Sequence, residues 1–398
     1  MLSVPEAFSL ILSHALTLPE EEIYIHQAAG RVLREPLTAD RDFPPFDRVA
    51  MDGIAVQHRQ FDSGRRVFTV TGMQRAGQPQ QTLEDETGCL EVMTGAMLPV
   101  GADTVIRYED VKITEGKAQV LIDDVPPGQN VHRQAADRSR GETLVPAGTR
   151  LGPVEMAVAS SVGKGTLRVT ARPRIALIST GDELVSVSDT PEPYQIRTSN
   201  TLLLEAVLQA AGAQTMKFHM PDDVDIMESA VSRFIGDYNA LVLSGGVSAG
   251  KADFVPELMR RLGIRQIFHQ VAQRPGKPLW FGASAEGKVA FGLPGNPVST
   301  FLCAIRYLLP WLKGSLGLPP DETPVARLSR SFTFAPQLTY FVPVSLSVDA
   351  DGVWVAEPLP GSGSADYANL LRCHGFLELP RNRSEFSAGE SFPVFTFR

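Results

Sequence analysis

Three apolar runs, each ending in a loop rich in glycine and polar residues, decide the fold of this chain. They read RIALISTGDEL at 174–184, ALVLSGGVSAGKADF at 240–254 and VAFGLPGNPVS at 289–299. Short, continuous apolar runs are typical of strands buried on both faces of a parallel sheet. Helical patterns alternate with these runs, at 200–211, from 222 or 223 to 235, at 254–262 and at 297–312. This alternation predicts an α/β domain whose parallel strands are joined by right-handed crossovers.

The loops that follow the three strands are expected to meet, because ligands of such sheets bind outside the carboxyl ends of the strands. In the first loop, Gly181 lets the backbone approach a ligand, and Asp182 and Glu183 follow at once. Two adjacent carboxylates near a phosphate need a cation, and Mg²⁺ is the usual one. The alternative is a solvated helix start, since acidic residues suit helix N-termini.

The second loop offers backbone donors at Gly245, Gly246 and Ser248, and Asp253 lies near its end. Consecutive N–H groups in a glycine-rich turn can form a concave anion site. A plain strand-to-helix turn with Asp253 as the cap explains the same residues. We therefore keep both interpretations for this loop.

Two later loops carry further candidates. Arg274 and Lys277 flank a rigid turn, which either binds an anion or is an exposed charged turn. Asn296 and Pro297 suit the cap and first position of a helix, just after Pro294. Such a terminus is also a ready anion site, although the structural explanation is sufficient by itself.

The remaining chain predicts smaller domains. A helical pattern covers 4–18, and short apolar runs broken by Gly, Asp and Pro predict a β-rich domain after residue 47. Strand-like runs after Pro319-Pro320 predict a small C-terminal β-barrel or sandwich at 326–398. Asp52-Gly53 and Thr94-Gly95 lie in the β-rich part and are explained as turns by their sequence alone.

Composition restricts the class of protein. With 37 Lys plus Arg against 45 Asp plus Glu, the net charge of −8 gives no footprint for nucleic acid. The three cysteines lack metal-ligand spacing, and their odd number argues against a disulfide framework. We found neither a secretory signal nor a stretch of about 18 apolar residues, so we expect a cytoplasmic protein without membrane contact.

Taken in order, the motifs resemble those of the molybdopterin molybdenumtransferase family, which includes MoeA and the gephyrin E domain. The matching strings are AMDG at 50–53, MTGA at 93–96, GADTV at 101–105, ISTGDEL at 178–184, SN at 199–200, GGVS at 245–248, PGKP at 275–278 and LPGNPVS at 293–299. No single string is unique, but the ordered set is specific, and with the domain order it covers nearly the whole chain.

The resemblance implies a reaction and an architecture. The family inserts molybdate into adenylylated molybdopterin and releases AMP, with Mg²⁺ assisting. Members are homodimers that combine a parallel-sheet α/β molybdopterin-binding domain, a β-rich domain, an elongated linking domain and a small C-terminal β-barrel. The boundaries expected here are 1–46 with 131–172 for the linking domain (whose N-terminal helix could pack elsewhere), 47–130 for the β-rich domain, 173–317 for the α/β domain and 318–398 for the barrel.

The resemblance also implies roles for single residues. Catalytic roles are expected for Asp52, Thr94, Asp182, Glu183 and Asp253, of which the last three would hold the metal. Ligand-binding positions are expected at Gly181, Asp222, Asp223, Gly245, Gly246, Ser248, Arg274, Lys277, Pro294, Asn296, Pro297, Asp137, Ser362 and Ser364. Transient contact with an adenylyltransferase or with molybdoenzymes is a further expectation.

This sequence departs from the family pattern at several of these loops. Arg274 stands where Lys is usual, and Gln270 stands where a pocket Lys often lies. Arg48 and Val49 replace the usual Asn-Ser before the AMDG string. Ala135-Ala136 replaces Gly-Glu before Asp137. We therefore expect a changed distribution of positive charge around the anion sites.

Two other functions fit parts of the sequence. A molybdopterin adenylyltransferase shares the α/β domain, but it resembles a single short domain with Gly-Gly-Thr-Gly where this chain has Gly-Gly-Val-Ser. A non-catalytic scaffold that retains the fold is the second alternative, although we found no extra interaction tail. Release of AMP on addition of molybdate distinguishes the molybdenumtransferase from both.

Overall fold

A six-stranded mixed sheet forms the centre of the α/β domain in the computed structural model, which describes residues 1–247 and 255–398. In order across the sheet, the strands are Gln214–Met220, Arg174–Thr180, Ala240–Ser244, Val289–Leu293, Trp280–Ala283 and Arg265–His269. The first four are mutually parallel, and the last two are antiparallel to their neighbours. The α/β fold class is confirmed, and the three strands that carry the motifs coincide with the apolar parts of the three runs.

Side chains of the central strands alternate between two cores, as the two-residue period of a strand requires. Ile175 and Leu177 face one core, and Ala176 and Ile178 face the other. Helices cover both faces, which is why these strands are apolar throughout. The helices are Asn200–Ala210, Val224–Phe234, Val255–Arg261, Pro297–Cys303 and Leu309–Leu316, with a π-helical turn at Ala304–Leu308 and a 3₁₀ turn at Ile235–Asp237.

The N-terminal helix packs on this domain and is shorter than the sequence pattern suggests. It spans Val4–Leu12 and not 4–18. A capping box of Ser3 and Glu6 fixes its start. After the helix ends, the chain is held to the last helix of the domain: Trp311 Nε1 donates to the His14 carbonyl at 2.9 Å, and Leu16 N donates to Ser315 Oγ at 2.9 Å. The apolar residues at 15–18 therefore extend the packing without being helical.

The β-rich region forms a second six-stranded sheet with a short helix, His58–Asp62. Its strands, in order, are Thr104–Arg107, Gly53–Val56, Gly88–Val92, Val67–Gln74, Lys117–Val120 and Val111–Thr114. Gly53 is required where two of these strands meet, because a Cβ atom there would lie 2.0 Å from the Ile106 carbonyl oxygen. The Asp-Gly pair at 52–53 is therefore set by close strand approach.

Strands that precede the β-rich region pair with strands that follow it. Three two-stranded antiparallel sheets and one helix, Pro153–Ser161, make this connection. The strand pairs are Glu20–Tyr24 with Thr166–Thr170, Leu37–Thr38 with Thr143–Val145, and Arg48–Val49 with Val131–His132. Short 3₁₀ turns occur at Ile25–Gln27 and Tyr108–Asp110.

The C-terminal region is a closed five-stranded barrel, as predicted. Its strands are Val325–Leu328, Thr339–Val348, Trp354–Pro358, Gly375–Leu379 and Ser391–Thr396. The pair Gln273–Arg274 adds to Thr339–Val348 and joins the α/β loops to the barrel. Smaller pairs are Phe332–Thr333 with Glu385–Phe386 and Leu184–Val185 with Ile196–Arg197, and a 3₁₀ turn covers Tyr367–Arg372.

No helix among the described residues has both the length and the apolar character needed to cross a bilayer.

Candidate functional site

The loops after the three central strands converge, as the fold predicts. A Cβ atom on Gly245 would lie 2.9 Å from Thr180 Oγ1 and 3.0 Å from the Thr180 carbonyl oxygen. A Cβ atom on Gly295 would lie 3.9 Å from the Gly245 Cα atom. Gly245 also has a φ of 109°, which disfavours any residue with a side chain. Glycine is therefore needed at 245 for its loop to approach Thr180, whereas a side chain at 295 would make an ordinary contact.

Asn200 ties two of the loops together. Its Nδ2 donates to Ser244 Oγ at 2.8 Å and to the Gly295 carbonyl oxygen at 2.7 Å. A carbonyl oxygen can only accept, so the orientation of the amide is fixed. Asn200 Oδ1 and Thr180 Oγ1 are buried and have no hydrogen-bond partner within the described part of the chain. Sequence reasoning gave Asn200 no role, although it lies in the SN string at 199–200 and at a predicted helix start near the strand ends.

Three acids lie together at this edge of the sheet. The pKa of Asp222 is raised, first by partial desolvation and then by the charges of Asp182 and Glu183. The Glu183 carboxylate folds back over Gly181, where an added Cβ would lie 2.5 Å from its Oε2. Asp223, by contrast, caps a helix and accepts from the amides that follow it. Asp222 is therefore the residue of this pair that is available to a ligand.

The described residues do not contain a complete metal site. Within them, no group of three or more His, Cys, Asp or Glu side chains is arranged to hold an ion. Asp253 and Ser248, which the sequence places in the same loop, lie outside the described residues. Asp182, Glu183 and Asp222 form no ion pair with any described residue, so their mutual repulsion favours a cation. This donor set suits Mg²⁺, which commonly takes one or two carboxylates and completes its shell with water and phosphate oxygens.

A separate cavity of about 410 Å³ lies between the α/β loops and the barrel. Arg274 and Lys277 are exposed at its wall. The other predicted ligand residues that line it are Pro294, Asn296, Ser362 and Ser364. Gln270 is not among its lining residues, so the missing lysine at that position does not leave this wall without a charge.

The barrel loop is fixed against the start of the helix Pro297–Cys303. Asn296 Nδ2 donates to Ser364 Oγ at 3.0 Å, and Val298 N donates to the Ser364 carbonyl at 3.1 Å. Ser362 donates to Asp366 through both its backbone N–H and its hydroxyl, at 3.1 Å each. The Gly-Ser-Gly-Ser loop is therefore held in place from both the helix start and the barrel.

In the β-rich region, Asp52 and Thr94 form one unit. Asp52 Oδ1 accepts from Thr94 N at 2.6 Å and from Thr94 Oγ1 at 2.7 Å. These bonds lower the pKa of Asp52, the backbone bond having the larger effect. Both residues are exposed, so the ionised carboxylate faces solvent. Turn formation alone does not need this arrangement.

Asp137 belongs to a hydrogen-bonded group that is separate from the pair Asp52–Thr94. His132 Nε2 contacts Asp137 Oδ1 at 3.1 Å, and Arg48 contacts His132 Nδ1 at 3.0 Å. Because the arginine always donates, Nδ1 accepts and Nε2 carries the proton that points to Asp137. Within the described part of the chain, neither this group nor the pair Asp52–Thr94 has a hydrogen bond or ion pair with the acids of the sheet edge.

Comparison with known proteins gives a consistent result along the chain. Residues 2–163 match the MoeA N-terminal region (domain I and II), residues 176–314 match a probable molybdopterin binding domain, and residues 325–397 match the MoeA C-terminal region (domain IV). A molybdopterin molybdenumtransferase of Synechocystis sp. is 40% identical over 401 residues, covering 100% of both chains. One of Haemophilus influenzae is 29% identical, covering 100% of this chain and 99% of its own.

Solved structures agree with the sequence comparisons. The molybdopterin biosynthesis moea protein of Pyrococcus horikosii superposes with a TM-score of 0.85 at 30% identity. The match covers 100% of this chain and 99% of that one. All modules of the fold are therefore shared with a solved relative.

Proposed function

The chain belongs to the molybdopterin molybdenumtransferase family and is a transferase of molybdenum cofactor biosynthesis, and we propose that it inserts molybdate into adenylylated molybdopterin with release of AMP. The observation that carries this proposal is the convergence of the Thr180, Gly245 and Gly295 loops beside three acids. In the proposed reaction water adds across the phosphoanhydride bond of the substrate, AMP leaves and the other phosphate stays on the pterin. The two dithiolene sulfurs replace two oxo groups of molybdate, which leave as water with protons from the thiols and the solvent.

The sheet edge is proposed as the site of the phosphates. Gly181, Gly245 and Gly246 have φ values of 135°, 109° and 67°, which favour glycine and give these loops backbone turns of the kind that can form a concave anion site. Asn200 and Thr180 add buried oxygens that no described residue satisfies. A ligand N–H or O–H group, or an ordered water, would satisfy them, since buried polar atoms are rarely left unpaired.

Asp182 and Glu183 are proposed to hold Mg²⁺, with Asp253 as a third ligand and Asp222 beside them. When bound, the ion supplies positive charge between these carboxylates and the substrate phosphate. The protein's own contribution is to hold the acids at one edge. Glu183 is folded over Gly181, and Asp222 is set immediately before the helix capped by Asp223.

The cavity between the α/β loops and the barrel is proposed to take the anionic groups that lie farther from the metal, molybdate among them. Arg274 presents a planar fork that can bind an oxyanion through two parallel bonds, whereas Lys277 acts as a point charge. Asn296 and Ser364 add neutral polar groups to the lining, whereas the Ser362 hydroxyl, which also lines the cavity, already donates to Asp366. Pro294 and Pro297 set the backbone around Asn296.

The remaining candidates are proposed to reach this site from a second subunit. Asp52, Thr94 and Asp137 lie in the β-rich and linking regions, apart in sequence from the sheet edge, and a homodimer would bring them to it. We also propose a cytoplasmic location and transient contact with the adenylyltransferase or with molybdoenzymes.

Release of AMP tests the reaction. Purified protein is given adenylylated molybdopterin with Mg²⁺, with and without molybdate, and AMP is quantified. We expect release only when both ions are present, and we expect Glu183→Ala to abolish it while the fold is retained. An adenylyltransferase would not respond to molybdate, and a scaffold would bind the substrate without releasing AMP. Normal turnover of Glu183→Ala would contradict the assignment of the metal edge.

Subunit mixing tests the shared site. Asp52→Ala and Glu183→Ala proteins are each expected to be inactive, and exchanged mixtures should regain part of the activity, because one site of each heterodimer is intact. Subunit exchange is followed with differently tagged chains. Mixtures that exchange and yet remain inactive would show that each subunit uses its own Asp52.

A further inference from the structure

A buried polar chain lies directly beneath the loop that carries Arg274 and Lys277. The Tyr307 hydroxyl donates to Gln273 Oε1, and Gln273 Nε2 donates to the Gly276 carbonyl oxygen at 3.2 Å. Tyr307 and Gln273 are both 0% exposed, inside an otherwise apolar core. Burying such groups is costly unless all are paired, so an apolar pair of the same size would serve stability equally well. This series of hydrogen bonds is therefore better explained by support of the loop above it than by a contribution to stability.

The direction of each bond follows from the chemistry of the groups. The Gly276 carbonyl can only accept, so the amide nitrogen of Gln273 must face it. The amide oxygen then faces Tyr307, whose hydroxyl must donate. Tyr307 thus fixes the rotation of the Gln273 amide, and the amide fixes Gly276.

Gly276 has little other support. Arg274 is held by strand pairing with Tyr340, and the Lys277 carbonyl accepts from Val271 N at 2.9 Å. Between them, the Gly276 carbonyl meets Gln273 and, more distantly at 4.0 Å, the Cys303 thiol. The space beneath the Gly276 Cα atom is also filled, because a Cβ on Gly276 would lie 2.8 Å from both Cys303 Sγ and Gln273 Nε2.

The helix that carries Tyr307 is locally widened at this point. Ala304–Leu308 forms a π-helical turn between two α-helical segments. Such turns are rare and recur at functional sites, where they redirect a side chain. Here the turn contains Tyr307 and the helix start before it contains Asn296, so one helix supports two walls of the same cavity.

We infer that Tyr307 is a positioning residue, which acts through Gln273 and Gly276 to hold the Arg274–Lys277 loop in the shape that binds the oxyanion. This inference rests on the proposed function for the identity of the anion, molybdate. It makes a prediction of its own about the loop, because loosening the buried chain should release the backbone at 274–277 whether or not molybdate is the ligand.

Tyr307→Phe tests the inference, since it removes one hydroxyl and leaves the packing of the ring. Hydrogen–deuterium exchange should become faster in peptides covering 273–279, and the molybdate concentration for half-maximal AMP release should rise on the order of fivefold. Turnover at saturating molybdate should stay within about twofold, because the loop binds the anion and does not carry the metal edge. Gln273→Leu should reproduce the same pattern, and the double variant should add little to either single change.

Ser315→Ala is the matched control. Ser315 is buried on the same helix, accepts from Leu16 N at 2.9 Å and donates to the Trp311 carbonyl at 2.8 Å, and faces the N-terminal segment. It should lower stability without changing exchange at 273–279 or the molybdate dependence. Wild-type exchange and half-saturation in Tyr307→Phe would overturn the inference, as would an equal change in Ser315→Ala. Wild-type protein that releases no AMP would refute the proposed function instead, and the exchange measurement would still decide the role of Tyr307.

Discussion

Asn200→Ala removes the side chain that ties the second and third loops of the sheet edge, and its cost can be worked from the contacts. Two hydrogen bonds of 2.8 Å and 2.7 Å are lost, each contributing about 1 kcal/mol. Leaving the buried Ser244 hydroxyl without this donor adds about 1 kcal/mol. Removing the unpaired Oδ1 stabilises the folded protein by about 1 kcal/mol, and the better helix propensity of alanine stabilises it by a few tenths of a kcal/mol.

The net expectation is a loss of about 2 kcal/mol, which for a domain of this size lowers the melting temperature by roughly 4–8 °C. Differential scanning calorimetry measures that shift, and AMP release at a temperature well below melting measures the site. Activity should fall on the order of tenfold or more, because the Gly245 and Gly295 loops are no longer held together. Asn200→Asp should lose more stability than Asn200→Ala near neutral pH, since it places a carboxylate against the Gly295 carbonyl and adds charge near the acids.

Asn239→Ala is the control for this prediction. Asn239 belongs to the same sheet at its opposite end, where its Oδ1 accepts from Arg174 N at 2.8 Å. The control should lose stability and keep full AMP release per folded molecule. The reasoning is refuted if Asn200→Ala keeps wild-type activity, or if the two alanine variants lose activity equally.

Three further predictions concern other parts of the molecule. Arg274→Ala should weaken molybdate binding more than Gln270→Ala, because Arg274 lines the cavity and Gln270 does not, and Arg274→Lys should fall between wild type and Arg274→Ala. Molybdate titrations of AMP release measure this order. Equal half-saturation for all variants would make Arg274 an ordinary exposed residue. Asp222→Asn should raise stability slightly at pH 7, because the raised pKa of Asp222 means that its ionised form opposes folding. The gain should vanish below pH about 4, where the carboxyl is protonated in both the folded and the unfolded protein. Urea unfolding midpoints at pH 7 and below pH about 4 test the sign. Gly53→Ala should lower the free energy of unfolding by about 3 kcal/mol or more, because its Cβ would lie 2.0 Å from the Ile106 carbonyl oxygen. The control Gly165→Ala meets nothing within 4 Å and should be nearly neutral, and thermal melts of both variants measure the difference.

The parallel strands could be predicted because burial on both faces leaves a direct record in the sequence. The buried parts of RIALIST and VAFGL, at 175–180 and 289–293, contain no charged residue. Each run is followed by a glycine or a proline that breaks the strand. The topology then requires the following loops to share one edge. Their convergence was therefore predictable without any knowledge of side-chain contacts.

Other features left no such record. An apolar helix face indicates that residues 4–12 are buried, but not which core covers them, and the choice of the α/β core depends on distant partners such as Trp311. The bond from Tyr307 to Gln273 joins residues 34 positions apart, and neither residue type signals the other. The role of Asn200 was missed for the same reason, since its two acceptors lie 44 and 95 residues away.

Two neighbouring residues in the third loop connect the acidic edge to the basic cavity. The Gly295 carbonyl accepts from Asn200 on the side of the acids, and the next residue, Asn296, donates to Ser364 of the barrel on the side of Arg274. Because these two residues are adjacent, we expect a shift of the Gly-Ser-Gly-Ser loop to change the position of the loop that approaches Gly245. A net charge of −8 repels an anionic substrate at long range, and local donors must therefore hold it in both places at once. Under the proposed function, the short segment at 295–296 would connect the carboxylates that hold the metal to the cations of the cavity.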